Sequence, residues 1–166
     1  MATRKKAKSG SDRQLLRHTL ATLAYRGGKA LRDVPEGFAG FRVGDKTRTP
    51  GQILAHMGDL LDWALSLAKG AQKWHNSPAL PWKDGTDRFF WALRAFDKFL
   101  VSDAPLGTPA SGLFQGPIAD AFTHVGQISM LRRLAGAPVR GENYLQADVT
   151  IGRVGPKQST PKREFD

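Results

Sequence analysis

Residues 117–136, PIADAFTHVGQISMLRRLAG, decide how the rest of the chain is read. Ile118, Ala121, Val125, Ile128 and Leu131 recur at intervals of three and four, the signature of one helical face, and Leu134 or Ala135 extends the stripe. Gly116-Pro117 marks a start, and Gly136 followed by Pro138 marks an end. This apolar helix carries Asp120 and His124 four residues apart. Side chains at that spacing stack on one face. At about 100° per residue, His124 falls inside the inward arc and Asp120 at its edge, so both can reach one point near the core wall.

Three more segments with the same periodicity precede it. One spans about residues 11–31. Ser11 or Asp12 is its cap and Leu15, Leu16, Thr19, Leu20 and Leu23 its stripe, and the Gly27-Gly28 pair is a place to end early. The next begins at Thr49-Pro50. Thr suits the N-cap, and Pro suits the first helical position, where its missing N–H has no partner to lose. Its stripe is Ile53, Met57, Leu60, Leu61, Ala64 and Ala68, and Gly70 stops it. The third follows Asp84-Gly85-Thr86, with Phe89, Phe90, Leu93, Phe96 and Leu100 on one side. Four amphipathic helices predict an all-α fold, a four-helix bundle, and bundle cores commonly house sites built from facing helices. The link over residues 71–85 is long for neighbouring antiparallel helices. It can cross a bundle end and let the second and third helices run parallel. The domain reading is a basic flexible tail over 1–10, a bundle over 11–138, and a C-terminal extension over 139–166 that wraps the bundle or leaves it.

Composition narrows the chemistry. The 166 residues include no Cys, so disulfides and thiolate ligands are excluded and His, Asp and Glu remain as strong metal ligands. The formal net charge is +10, but Arg4, Lys5, Lys6 and Lys8 lie in the first ten residues, and Arg153, Lys157, Lys162 and Arg163 near the end. Solvated basic tails account for most of the excess, so nucleic acid is not an expected partner. No apolar run reaches the roughly 20 residues that span a bilayer, and no apolar segment follows the basic N-terminus. A cytoplasmic protein without a membrane partner is expected.

Only His18, His56, His75 and His124 are available as imidazoles. His56 borders the apolar arc of the second helix, on the face of Ile53 and Leu60, and can point inward toward the last helix. His56, Asp120 and His124 are therefore the candidate metal ligands: two imidazoles and a carboxylate, with room for water or substrate, the pattern of catalytic sites and not of closed structural ones. A helix–helix ion pair or a hydrogen-bonded core His explains the Asp-x3-His spacing equally well. His18 reads as surface or satisfied core, and His75 as a loop residue that can reach a bundle-end pocket. Gln127 and Gln52 are placed to orient a ligand, though helix polarity also explains them. Trp63, Trp82 and Trp91 read as core or lid packing, and Asp59 and Asp62 as a solvated face. No phosphate loop or nucleophile turn is present.

TPGQILAHMGDLLDWAL and DAFTHVGQISMLRRLAGAPV together resemble the DinB-like metal-binding four-helix superfamily. The His-x-Gly-Gln of the second stretch, followed by an apolar residue and Leu-Arg, is similar to the family's last core helix. The tail ENYLQADVTIGRVG is similar to an extension seen in one branch. The resemblance implies an up-down-down-up bundle with a long crossover after the second helix. It also implies a divalent ion held by one His of the second helix and two of the fourth. His56 matches the first ligand and His124 the last, while Asp120 stands where the family usually places its other His. A carboxylate there still suits Zn, Ni, Mn or Fe. The function implied is that of a metal-dependent enzyme, a transferase or isomerase that uses a low-molecular-weight thiol on a small-molecule substrate. Homodimers are compatible with this family type. The alternative is a non-catalytic basic bundle, a binding or interaction module with a vestigial metal site.

Overall fold

The described residues form four main helices, and the clearest local cause lies at the second, α2 (Pro50–Ala68). Thr49 accepts from the backbone N–H of Gln52, and the Gln52 side chain accepts from the N–H of Thr49, a complete capping box with Pro50 in the first turn. Gly70, at φ 73°, closes the other end. The computed structural model describes the backbone of residues 2–165 and the side chains of residues 10–165.

The first helix, α1, spans Ala2–Leu31, beginning well before the expected start near residue 11. The side chains of the basic N-terminal run lie outside the described residues. The Gly27-Gly28 pair does not end α1. A Cβ on Gly27 would lie 2.8 Å from Cζ of Phe89, so glycine lets α1 approach the third helix closely. The inward stripe is Leu16, Leu20, Leu23, Ala24 and Leu31, whereas Leu15, expected inside, is 67% exposed. The third helix, α3 (Trp82–Val101), starts a turn earlier than Asp84-Gly85-Thr86 suggests. Trp82 lies in that extra turn and donates to the carbonyl of Leu31 at 3.0 Å.

The last helical segment also starts earlier than Gly116-Pro117. It consists of α4 (Ala110–Leu113), a π turn over Phe114–Ile118 and α5 (Ala119–Leu134). Pro117 lies inside the π turn. Proline lacks an N–H and its ring collides with the carbonyl one α-turn back, so the wider turn carries the helix past it. Leu134, one of two proposed ends of the stripe, is exposed.

α1 packs on α3 and α5, and α2 packs on the same two helices. Arg17 pairs with Asp97 while Gly27 meets Phe89, so α1 and α3 run in opposite directions. Gly85 meets Leu54 and Arg88 meets Asp59 and Asp62, so residue number rises together along α2 and α3. The shared core holds Leu20, Leu23, Met57, Leu61, Phe89, Phe96, Ile118 and Ile128, all buried.

After α5 the chain crosses back over α1. A two-residue strand, β1 (Gly141–Glu142), pairs antiparallel with β2 (Glu164–Phe165). Val154 enters the core. Glu142 is buried against α1, accepting from Tyr25 at 2.6 Å and Lys29 at 2.8 Å. Glu164 adds a second carboxylate to Lys29 at 2.6 Å. The fold is all-α with this minor sheet, and among the described residues no helix is long and apolar enough to cross a membrane.

Candidate metal centre

His56 projects from the first half of α2, and Asp120 and His124 from the first half of α5, directly after the π turn. Breaks of this kind in helices occur often beside functional side chains. The three meet. Nε2 of His56 lies 3.7 Å from Oδ2 of Asp120, and Nδ1 of His124 lies 3.1 Å from Oδ1 of Asp120. The two imidazole rings stand 4.7 Å apart, centre to centre. One ligand atom from each residue can be chosen so that all three lie within 4.8 Å of one another. An ion at roughly 2.1 Å from each of two nitrogens holds them at most about 4.2 Å apart, so a small side-chain adjustment completes the approach.

The donor chemistry suits a divalent ion. Nδ1 of His124 lies 2.8 Å from the carbonyl oxygen of Asp120. A carbonyl can only accept, so this bond forms in the tautomer with the proton on Nδ1, which leaves the Nε2 lone pair to a metal. Metal-binding histidines are commonly oriented in this way through their other nitrogen. His124 is buried, His56 half-buried and Asp120 the most open of the three, which leaves a solvent-facing side. Burial holds the His56 pKa below its usual value; His124 and Arg48 push in the same direction, and Asp120 and Asp59 oppose them. A neutral imidazole is the form that binds metal.

The link between α2 and α3 roofs the site. Trp74 packs edge-on against His56 with centroids 5.6 Å apart, and against Trp63 at the same separation. Beneath it, Asp59 is 2% exposed, so it does not belong to a solvated face. It accepts from the Ser77 N–H at 2.9 Å, the Ser77 hydroxyl at 2.7 Å and Arg88 at 2.7 Å. Burial alone would raise its pKa, but these donors outweigh burial and hold the carboxyl below the usual range. Asp62 also pairs with Arg88, at 2.8 Å, from a half-exposed position. One aspartate thus ties the link and α3 to the helix that carries His56. Helical periodicity cannot flag this role, because the partners of Asp59 lie 18 and 29 residues away.

The remaining candidates stand elsewhere. His18 and His75 are exposed and take no part in the three-residue group. Gln127 is exposed. Gln52 serves the α2 cap and also lines a cleft of about 190 Å³ beside His56. Trp63 and Trp82 are partly buried against the core, whereas Trp91 is 64% exposed and packs neither core nor lid. Arg132 is a residue that periodicity could not flag. It is buried with no ion pair among the described residues and donates to the carbonyls of Ala30, Arg32, Asp33 and Ala137, tying the end of α1 to α5. Desolvation lowers its pKa.

Fold and site define an all-α protein whose His56, Asp120 and His124 are able to hold a metal ion. Comparison with models of protein families, with curated proteins and with solved structures finds no match for the chain.

Proposed function

We propose that the chain is an up-down-down-up four-helix bundle with its crossover between α2 and α3, and a metal-dependent enzyme of DinB-like type. The bundle order is supported by the opposed directions of α1 and α3 and the shared direction of α2 and α3. The observation that carries the function is the meeting of two imidazoles and a carboxylate from two helices, with ligand atoms within 4.8 Å.

The chain's own residues do identifiable work there. The Asp120 carbonyl restrains the His124 ring through Nδ1. Burial lowers the His56 pKa and so favours the neutral imidazole that binds a metal. Trp74 shields one side of His56 from water. The Asp59–Ser77 bonds hold the link that carries Trp74. When bound, Zn, Ni, Mn or Fe supplies Lewis acidity, which lowers the pKa of a thiol or water that it meets. The substrate class drawn from the resemblance is a small cellular thiol, such as bacillithiol, mycothiol or glutathione. The reaction class is transfer or isomerisation on a small molecule.

Cobalt substitution tests this reading. Protein loaded with Co²⁺ and mixed with each thiol should develop a sulfur-to-cobalt charge-transfer band, and His124→Ala should abolish it. Cobalt-loaded protein that gives no such band with any small thiol would overturn the thiol chemistry.

A second reading has its own observation. Asp120 already lies close to both histidines, and His124 already has a backbone partner. The trio would then join α2 to α5 as a polar contact in a non-catalytic interaction module. In that case His124→Ala lowers stability, and divalent ions leave the melting temperature of the wild type unchanged.

A further inference from the structure

The 190 Å³ cleft that His56 shares with the three-ligand group is lined by Arg48, Gln52, His56, Asp59, Asn76 and Ser77. Its polar groups are not balanced. The Gln52 side-chain oxygen is taken by the Thr49 N–H at 2.9 Å, and the Asn76 side-chain oxygen by the Trp74 indole N–H at 3.0 Å. Both oxygens must be acceptors, since an N–H approaches each, so both amides leave their NH2 ends uncommitted. Ser77 spends its N–H and hydroxyl on Asp59, and the Asp59 oxygens are occupied by Ser77 and Arg88. Among the described residues Arg48 has neither a hydrogen bond nor an ion pair. What remains for a ligand is one guanidinium and two amide NH2 groups, all donors, beside an imidazole of the candidate metal group.

We propose that this cleft is an anion subsite that receives a carboxylate of a small organic acid, with Arg48 as its charged anchor and Gln52 and Asn76 as flanking donors. The inference rests on the metal-dependent reading and adds a substrate class to it: the molecule acted on carries a carboxylate on the side facing α2. Arg matches a carboxylate through its planar pair of N–H groups. The cleft is smaller than the roughly 300–1,000 Å³ of sites for drug-sized ligands, which favours a short-chain acid. Charge favours a single carboxylate over a dianionic phosphate. Arg48 and Arg88 stand near Asp59, Asp62 and Asp120, one carboxylate more than cations, and a divalent ion leaves a surplus of one positive charge.

The test is titration of the full chain, metal-free and zinc-loaded, with the monocarboxylate butyrate, neutral butyramide and inorganic phosphate. Binding is followed through the ¹⁵N-resolved indole and side-chain amide signals, with Trp74 assigned by Trp74→Phe. Butyrate should shift the Trp74 indole and the Gln52 and Asn76 NH2 signals in both forms, more tightly with zinc. Arg48→Gln should weaken butyrate at least tenfold with zinc stoichiometry unchanged, and Arg48→Lys should recover part of the loss. Arg48 is exposed and unpaired, so these variants should fold normally. Equal butyrate affinity in Arg48→Gln, or equal binding of butyramide or phosphate by the wild type, would overturn the subsite. If zinc does not bind at all but Arg48-dependent butyrate binding persists, the subsite stands and the metal reading falls.

Discussion

At His56 the protein resists protonation, because the ring is partly buried and faces His124 and Arg48. A histidine with a depressed folded-state pKa contributes stability that is complete above its unfolded value and is lost as pH falls through the lower folded value. Metal-free protein should therefore lose melting temperature on acidification below the ordinary histidine value of about 6.5, and His56→Gln should flatten that limb. Thermal melts across the range decide it; an unchanged limb would mean that His56 titrates as if free. The candidate trio was legible in the sequence because an i, i+4 pair must share a face and only four histidines exist. Arg48 and Asp59 were not. Their roles depend on where the 71–81 link lies over α2, and a helix pattern carries no information about the path of a loop. Asp59 read as solvated for that reason, yet it is among the most buried polar groups.

The helices were legible through their stripes and caps, and their ends less so. Thr49-Pro50 gave the start of α2 because a capping box is local chemistry. Gly27-Gly28 and Gly116-Pro117 misled, because each looks like a terminator until its packing is known. Gly27 lies against Phe89, which is fully buried and has no room to give. Gly27→Ala should therefore destabilise by about 1–3 kcal/mol, more than the gain of about 1 kcal/mol from better helix propensity. Gly126, exposed on α5 with open space at its Cβ position, should respond oppositely, Gly126→Ala gaining up to about 1 kcal/mol. Urea unfolding of the two variants checks both signs at once. A stabilised Gly27→Ala would mean that α1 and α3 sit farther apart than described.

On the scale of the whole molecule, residues 139–165 are fastened to the helices by charge as well as by Val154. Burial opposes charge on Lys29, but its hydrogen bonds to Glu142 and Glu164 prevail and its pKa is raised. Burial and Glu142 likewise raise the Tyr25 pKa. Raised values for both groups mean stability that is present below their unfolded pKa values and lost as pH climbs past them, from about pH 10 upward. Glu142→Gln removes a cause common to both shifts. It should cost about 3 kcal/mol at neutral pH and bring alkaline unfolding to lower pH, which circular dichroism would follow. An all-α fold was readable from four periodic segments; the clasp was not, because β1 and β2 are two residues long and 22 positions apart. The central claim is that α2 and α5 bring His56, Asp120 and His124 around one cation. Calorimetric titration of untagged wild type, His56→Ala and His124→Ala with Zn²⁺, Ni²⁺, Mn²⁺ and Fe²⁺, joined to elemental analysis, tests it most directly. One ion per wild-type chain is expected, bound more than about a hundredfold more weakly by either variant, since losing a ligand exceeds the 10–100-fold cost of losing an outer partner. A wild type that takes up no ion, or variants that bind as tightly as it does, would contradict the account.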